Sequence, residues 1–342
     1  MIEISTDANE GEWNDLLARS DNATIYHTPE WKQFLEKTFN YKPKYLFAKN
    51  EVGDLVGLLP LFEVRSKLTG NRLCSVPFSH SCGVIGRDDV RDSLIKEGLE
   101  LHSNLDTRYL EIRDHIKMEG FSFQNSFSTH VLEISSKKDD VWKRLDKSST
   151  RWAITKSKKI GVYAESSTNK EDLLQFYELN CATKKDIGVP CHPWKFFRNL
   201  FSCLQGNVSL YIAKYEGETV GGGIFEYFKS NVLYGYGAAN PEFLKLHPYS
   251  AFIWKSIEDA CDDGYSSFDF GRTSYDNEGL INFKKRWGTS EIKLYYTYYP
   301  TKTQSFTEKR ESKKYEIGNK IIKRTPFSLY KCFSNVTFHH FG

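Results

Sequence analysis

Two stretches of the chain repeat one order of apolar and polar positions. Around Trp31 the sequence reads His-Thr-Pro-Glu-Trp-Lys-Gln-Phe-Leu, and around Trp194 it reads Cys-His-Pro-Trp-Lys-Phe-Phe-Arg. In each, a proline opens a helical pattern, a first-turn position where its fixed φ and missing N–H do no harm. A hairpin pattern follows both. Residues 45–49 and 55–63 flank a polar turn at 50–54, and residues 210–214 and 220–226 flank Glu216-Gly217-Glu218. Short β-rich runs around a glycine-containing polar turn are the local chemistry of a hairpin. A duplicated helix–hairpin unit accounts for both stretches.

Periodicity fills in the remainder. Apolar positions at helical spacing predict helices over 94–101, 173–180 and 249–262, with helix again from Ser148 onward. β-type runs predict strands over 109–112, 128–134, 231–236 and 267–270. Each half then has the order helix, strands, helix, strand, which is a mixed α/β class with antiparallel hairpins. The polar stretch from 135 to 149 marks the boundary, so the expected domains are 1–145 and 146–300. A tail, 301–342, remains. Its cations and the apolar set Ile321, Ile322, Phe327, Leu329, Tyr330 and Phe333 predict helices packed on the first domain, or a loose hold on an anionic membrane surface.

Composition narrows the partners. The chain has 342 residues, room for two cores of ordinary size, and its 15% aromatic content predicts well-filled cores or a stacking groove. A net charge of +3 is too small for the whole surface to bind a polyanion, so any such contact needs a local patch. The best candidate holds Lys143, Arg144, Lys147, Arg151, Lys156, Lys158 and Lys159 against the single acid Asp146. It fits RNA phosphates or a solvated helix face. The longest apolar run, 55–62, is far short of the ~20 residues of a spanning helix. The N-terminus is acidic rather than signal-like, and the seven cysteines form no C-x-x-C. Reduced thiols, a cytoplasmic setting and a monomer are expected.

Hydrolase, zincin, Walker A and dinucleotide motifs are absent, and the pairs His80/Cys82 and Cys191/His192 do not make a metal site, so no metal is expected. Three segments of the second half carry candidate chemistry. Tyr234-Gly235-Tyr236-Gly237-Ala238-Ala239 leaves a strand toward a helix start near Tyr249, where backbone N–H groups could approach an anion or a carbonyl oxygen; tight packing alone also explains its glycines. In Phe268-Asp269-Phe270-Gly271-Arg272, alternation puts Asp269 opposite the two rings. Asp269 could orient an amine while Arg272 grips a carboxylate or phosphate, or the two could pair to close a turn. Lys284, Lys285 and Arg286 lie between Phe283 and Trp287 and could stabilise a developing oxyanion or hold a phosphate.

These segments, in this order, resemble the FemABX family of aminoacyltransferases and the wider FemAB-like group with an N-acetyltransferase (GNAT) fold. The resemblance runs through His27-Thr28-Pro29-Glu30-Trp31, Arg151 with the 154–162 helix pattern, Tyr234 to Ala238, His247 to Ser250, Phe268 to Arg272, and Phe283 to Gly288. It implies two tandem GNAT-like domains with mixed, largely antiparallel sheets. It also implies transfer of an aminoacyl group from aminoacyl-tRNA to an amine of a cell-wall (peptidoglycan) precursor peptide, with no metal, no cofactor and no covalent intermediate. The long charged coiled-coil insertion of some members is lacking, which makes this the compact form. By its match to the family's Phe-Lys motif Lys284 becomes the oxyanion residue, with Asp269 orienting the amine. Trp31, Arg151, Tyr234, Tyr236, Arg272 and Trp287 become the substrate-binding set. Two rivals stay open: an acyl-CoA-dependent N-acyltransferase on a sugar or amino acid, which lacks here the usual Arg/Gln-x-x-Gly-x-Gly/Ala loop, and a non-catalytic binding module.

Overall fold

The structure, a computed structural model, describes residues 2–301 and 313–341. Within them the chain forms two compact units, one from residues 2–126, 294–301 and 337–341 and the other from 127–293 and 313–336. The elements of the first part are β1 (Glu3–Ser5), α1 (Glu10–Arg19), α2 (Pro29–Phe39), β2 (Lys42–Pro43), β3 (Leu46–Lys49), β4 (Leu55–Leu59), β5 (Leu61–Val64), β6 (Arg72–Ser75), α3 (Asp88–Asn104) and β7 (Leu110–Ile112). Then come β8 (Ser122–Glu133), α4 (Lys138–Arg144), α5 (Trp152–Ile160), β9 (Tyr163–Ser167), α6 (Lys170–Ile187), α7 (Trp194–Cys203), β10 (Val208–Tyr215), β11 (Glu218–Phe228) and β12 (Asn231–Ala239). The chain continues through α8 (Pro248–Asp262), β13 (Ser267–Asp269), β14 (Thr273–Ser274), α9 (Glu278–Lys285) and β15 (Ser290–Tyr299) to α10 (Lys313–Arg324) and α11 (Phe327–Thr337).

In the first unit α2 starts as the sequence suggests: Thr28 caps it by accepting from the Trp31 N–H at 3.2 Å, and Pro29 follows. The run 55–63 is not one strand. Pro60 has no N–H to donate, so the ladder breaks there; β4 pairs β3, while β5 pairs β2 and β6. From β6 the chain crosses over through α3 and returns as β7, parallel to β6. Thr297 to Tyr299 of β15 then pair antiparallel to β7.

The second unit repeats this plan on a larger scale. Strands β9 to β12 form an antiparallel meander, α8 crosses over, and β13 returns parallel to β12. Beyond β13, β8 pairs antiparallel with it, Glu133 opposite Ser267. That pairing puts residues 127–145, expected in the first domain, into the second unit. β11 carries Gly221, Gly222 and Gly223 because helices close on it from both faces. A Cβ at Gly222 would lie 2.8 Å from the Tyr211 carbonyl oxygen and 3.3 Å from Phe176 of α6; one at Gly223 would lie 2.7 Å from Phe252 of α8.

The tail also differs from expectation. Residues 302–312, much of its cationic part, lie outside the described residues. Helices α10 and α11 belong to the second unit: Tyr330 is fully buried and donates to the Val189 carbonyl at 2.8 Å, and Lys331 meets Glu178 at 2.8 Å. Only the closing turn, Phe338–Phe341, joins the first unit, with the Phe338 ring 5.1 Å from Phe78. Among the described residues no helix is long and apolar enough to cross a membrane.

Overfilling β11 should be costly. Gly222→Ala is expected to lower stability by about 1–3 kcal/mol in urea unfolding. Gly279→Ala, with only Asn277 near its added Cβ at 3.9 Å, should stay within about 0.5 kcal/mol of the wild type.

Candidate active site

A single inserted residue organises the site. Along β11 and β12, Ile224 pairs with Tyr236 and Phe225 with Tyr234, so Gly235 is an extra residue, a β-bulge. Plain alternation would put Tyr234 and Tyr236 side by side. The bulge sends them to opposite faces. Tyr234 stacks on Phe225 at 5.1 Å and meets Phe252 of α8, whereas Tyr236 faces His192 at 5.0 Å and Phe196 and Phe197 of α7 at 5.5 Å each.

The α6–α7 face gathers the titratable groups. Register places Glu226 opposite Leu233, and Leu233 opposite Asp269; paired positions share a face, so the two acids flank Leu233 at about 10 Å, two strand spacings. Phe268 and Phe270 point the other way, to Phe225 and Tyr234, as alternation requires. Glu226 is 1% exposed, and neither carboxylate oxygen has a hydrogen-bond partner among the described residues. Burial alone raises its carboxyl to about 8. Gly235 is needed beside it, since a Cβ there would sit 3.0 Å from a Glu226 oxygen.

Asp269 closes a tight turn. Its Oδ1 accepts from the Thr129 hydroxyl and from the Gly271 N–H, the latter at 2.7 Å. Gly271 takes φ +70°, a left-handed conformation natural to glycine, and its carbonyl accepts from Lys284 Nζ at 2.5 Å. Burial raises the Asp269 carboxyl, against the pull of its two hydrogen bonds and of Lys284. Burial also lowers the Lys284 ammonium to about 8, with Asp269 pulling it back up. An acid pushed up and a lysine pushed down in one place is the arrangement of a proton-handling or charge-stabilising site. His130 lies nearby, fully buried, with neither ring nitrogen hydrogen-bonded among the described residues; burial first, and Lys284 next, lower its pKa.

The other expected site residues are dispersed. The Arg272 guanidinium lies over the Phe127 ring at 4.6 Å. Trp287 is 1% exposed and packs on Phe270 at 5.5 Å, a core residue of the second unit. Trp31 is fully buried in the first unit, edge-on to Tyr26 at 4.7 Å. Arg151 lines a cleft of about 620 Å³ along α5 with Lys147, Lys156, Lys159, Trp142, Trp152 and Thr155, and the Lys156 ammonium sits 4.6 Å from the Trp152 ring centre. A cavity of about 350 Å³ opens where His247 and Ser250 begin α8, lined also by Ser148, Ser149 and Thr150. Sequence reading missed Glu226. Its signal was a lone acid in an otherwise apolar strand pattern, on the alternation face of Gly222 and Ile224. Among the described residues no three His, Cys, Asp or Glu side chains are grouped to hold a metal ion.

Residues 147–285, which include Glu226, Asp269 and Lys284, match the family model described as "Acetyltransferase (GNAT) domain". Residues 147–285 of the second unit are thus similar to a GNAT domain, and acyl transfer is the class of chemistry that such a domain defines. The chain as a whole has the fold of FemX, at 16% identity, with a TM-score of 0.71 over 86% of this chain and 96% of that one. It is also similar to a tandem GNAT protein from the clavulanic acid biosynthesis pathway (12% identity, TM-score 0.56, 89% of this chain and 100% of that one). A further likeness is to L-PGS from Bacillus licheniformis (15% identity, TM-score 0.54, 94% of this chain and 100% of that one). No curated protein matches the sequence. The expected α/β class with tandem GNAT-like units, the FemABX-like fold and the acyltransferase chemistry all stand.

The raised Glu226 value sets a pH dependence. The folded state holds a proton that the unfolded chain has released between about 4.5 and 8, so stability should fall as pH rises through that window. Glu226→Gln keeps the shape and removes the titration. The urea midpoint of the wild type should therefore drop relative to Glu226→Gln between about pH 5 and pH 9. A difference that stays constant with pH would mean that this carboxyl does not titrate there.

Proposed function

We propose that the protein is a FemABX-type aminoacyltransferase that moves an aminoacyl group from aminoacyl-tRNA to an amine of a cell-wall precursor peptide, by direct attack without metal or covalent intermediate. The observation that carries the choice of donor is the α5 cleft: Lys147, Arg151, Lys156 and Lys159 surround the half-exposed Trp152, and no carboxylate lies on its wall. A row of cations suits successive phosphates of a polynucleotide, and an exposed indole suits a stacked base. The FemX likeness in fold supports the same reading.

An aminoacyl ester is already activated, so the work is positioning, worth ~7 kcal/mol or more, together with charge stabilisation. In this reading Glu226 takes the proton of the acceptor ammonium, with Tyr236 beside it. The neutral amine attacks the ester carbonyl, and the Lys284 cation stabilises the oxyanion. The C–O bond to the ribose then breaks, and its oxygen leaves with the second proton of the amine. Asp269 acts through the Gly271 turn that holds Lys284, and Arg272 remains a candidate for the acceptor's phosphates. The acyl-CoA alternative draws on the cavity at the start of α8, because a helix N-terminus there would receive a pyrophosphate.

Filter binding of charged tRNA and of acyl-CoA separates the two. Arg151→Ala with Lys156→Ala should weaken tRNA binding and flatten its salt dependence by about one ion per lost phosphate contact. Lys284→Met should cut turnover by about 10²–10³ while leaving tRNA binding intact. Wild-type turnover should rise with pH as Glu226 ionises and fall as Lys284 loses its charge, both near 8, which gives a bell-shaped profile with its maximum close to that pH. Binding of acyl-CoA alone would overturn the tRNA reading, and turnover unchanged in Lys284→Met would remove Lys284 from the mechanism.

A further inference from the structure

Helix α11 has two apolar stripes, one buried and one largely exposed. Tyr330 and Ser334, both fully buried, face the unit: the Tyr330 hydroxyl bonds Val189, and the Ser334 hydroxyl accepts the Cys191 N–H at 3.2 Å. Leu329, Phe333 and Val336, spaced i, i+4, i+7, form the second stripe, and they are 60%, 47% and 68% exposed. On α10, Ile317 and Ile321 are a further i, i+4 pair, 56% and 62% exposed. A soluble surface scatters such residues singly, whereas a concentrated apolar stripe marks an interaction site.

The charge around these stripes identifies the partner. Lys320, Lys323 and Arg324 are exposed on the last turns of α10, and the sequence from Ile317 to Gly342 contains no Asp or Glu. Exposed apolar stripes beside cations, with Glu316 the single acid in the sequence of the two helices, are complementary to a surface whose outer layer is anionic and whose next layer is hydrocarbon. We propose that α10 and α11 hold the protein on an anionic phospholipid surface. Their exposed Ile, Leu, Phe and Val side chains enter the boundary between headgroups and acyl chains, and Lys320, Lys323 and Arg324 lie over the lipid phosphates. This inference does not depend on which acyl donor the enzyme uses.

Vesicle flotation of the full chain tests it, with phosphatidylcholine vesicles and with vesicles to which phosphatidylglycerol has been added. The protein should float with the second kind only, and less so as salt rises. Leu329→Asp with Val336→Asp should weaken binding at least about tenfold. Because Leu329 and Val336 are each more than half exposed, the thermal midpoint of this variant should match that of the wild type, and Lys323→Glu with Arg324→Glu gives a second variant that leaves the apolar stripes untouched. Flotation with neither vesicle, equal flotation with both, or undiminished binding of either variant would overturn the proposal. So would a lipid-free dimer, seen by light scattering, that the Asp variant dissolves, since the stripe would then be covered by a second copy.

Discussion

The second unit depends on how closely two helices approach one strand. Phe176 from one side and Phe252 from the other come within contact of β11, and the three glycines there are what allow it. This closeness drives water from both faces of the sheet. It also leaves the buried acid on that strand, Glu226, without solvent, and so makes its proton affinity a property of the packing. The same exclusion acts on Lys284, whose ammonium would be unremarkable on a surface. Fold stability and site chemistry therefore rest on a single geometric condition.

Much of the fold was legible because it is written in local terms. Pro29 and Pro248 open helices, Gly217 turns a hairpin, and 128–134 and 267–270 show strand composition. What escaped reading was non-local. The pairing of β8 with β13 moved the boundary between units, and no periodicity encodes which strand a strand will choose. Pro60 could have been read as a ladder break, and the apolar run around it hid the point.

For the candidate site, motif resemblance singled out Asp269 and Lys284, and the structure joins the two through Gly271. It could not separate Tyr234 from Tyr236, because a bulge changes which residues share a face without changing composition. Trp31 and Trp287 stand out in a motif for the same reason that they matter to the core: a large ring filling a fixed volume. A residue can recur in a pattern because of packing alone.

The bulge at Gly235 works as a shift in addressing. Every side chain on β12 beyond it, Tyr236 to Ala239, points where an uninterrupted strand would have sent its neighbour. A regular strand of the same sequence, without the bulge, would turn Tyr236 away from Glu226 and present the packing side of the strand to that acid instead, whereas loss of Gly235 itself would leave Tyr236 opposite Ile224. The extra residue therefore sets the address of each side chain rather than the fold, since the same helices and strand order are compatible with Tyr236 on either face.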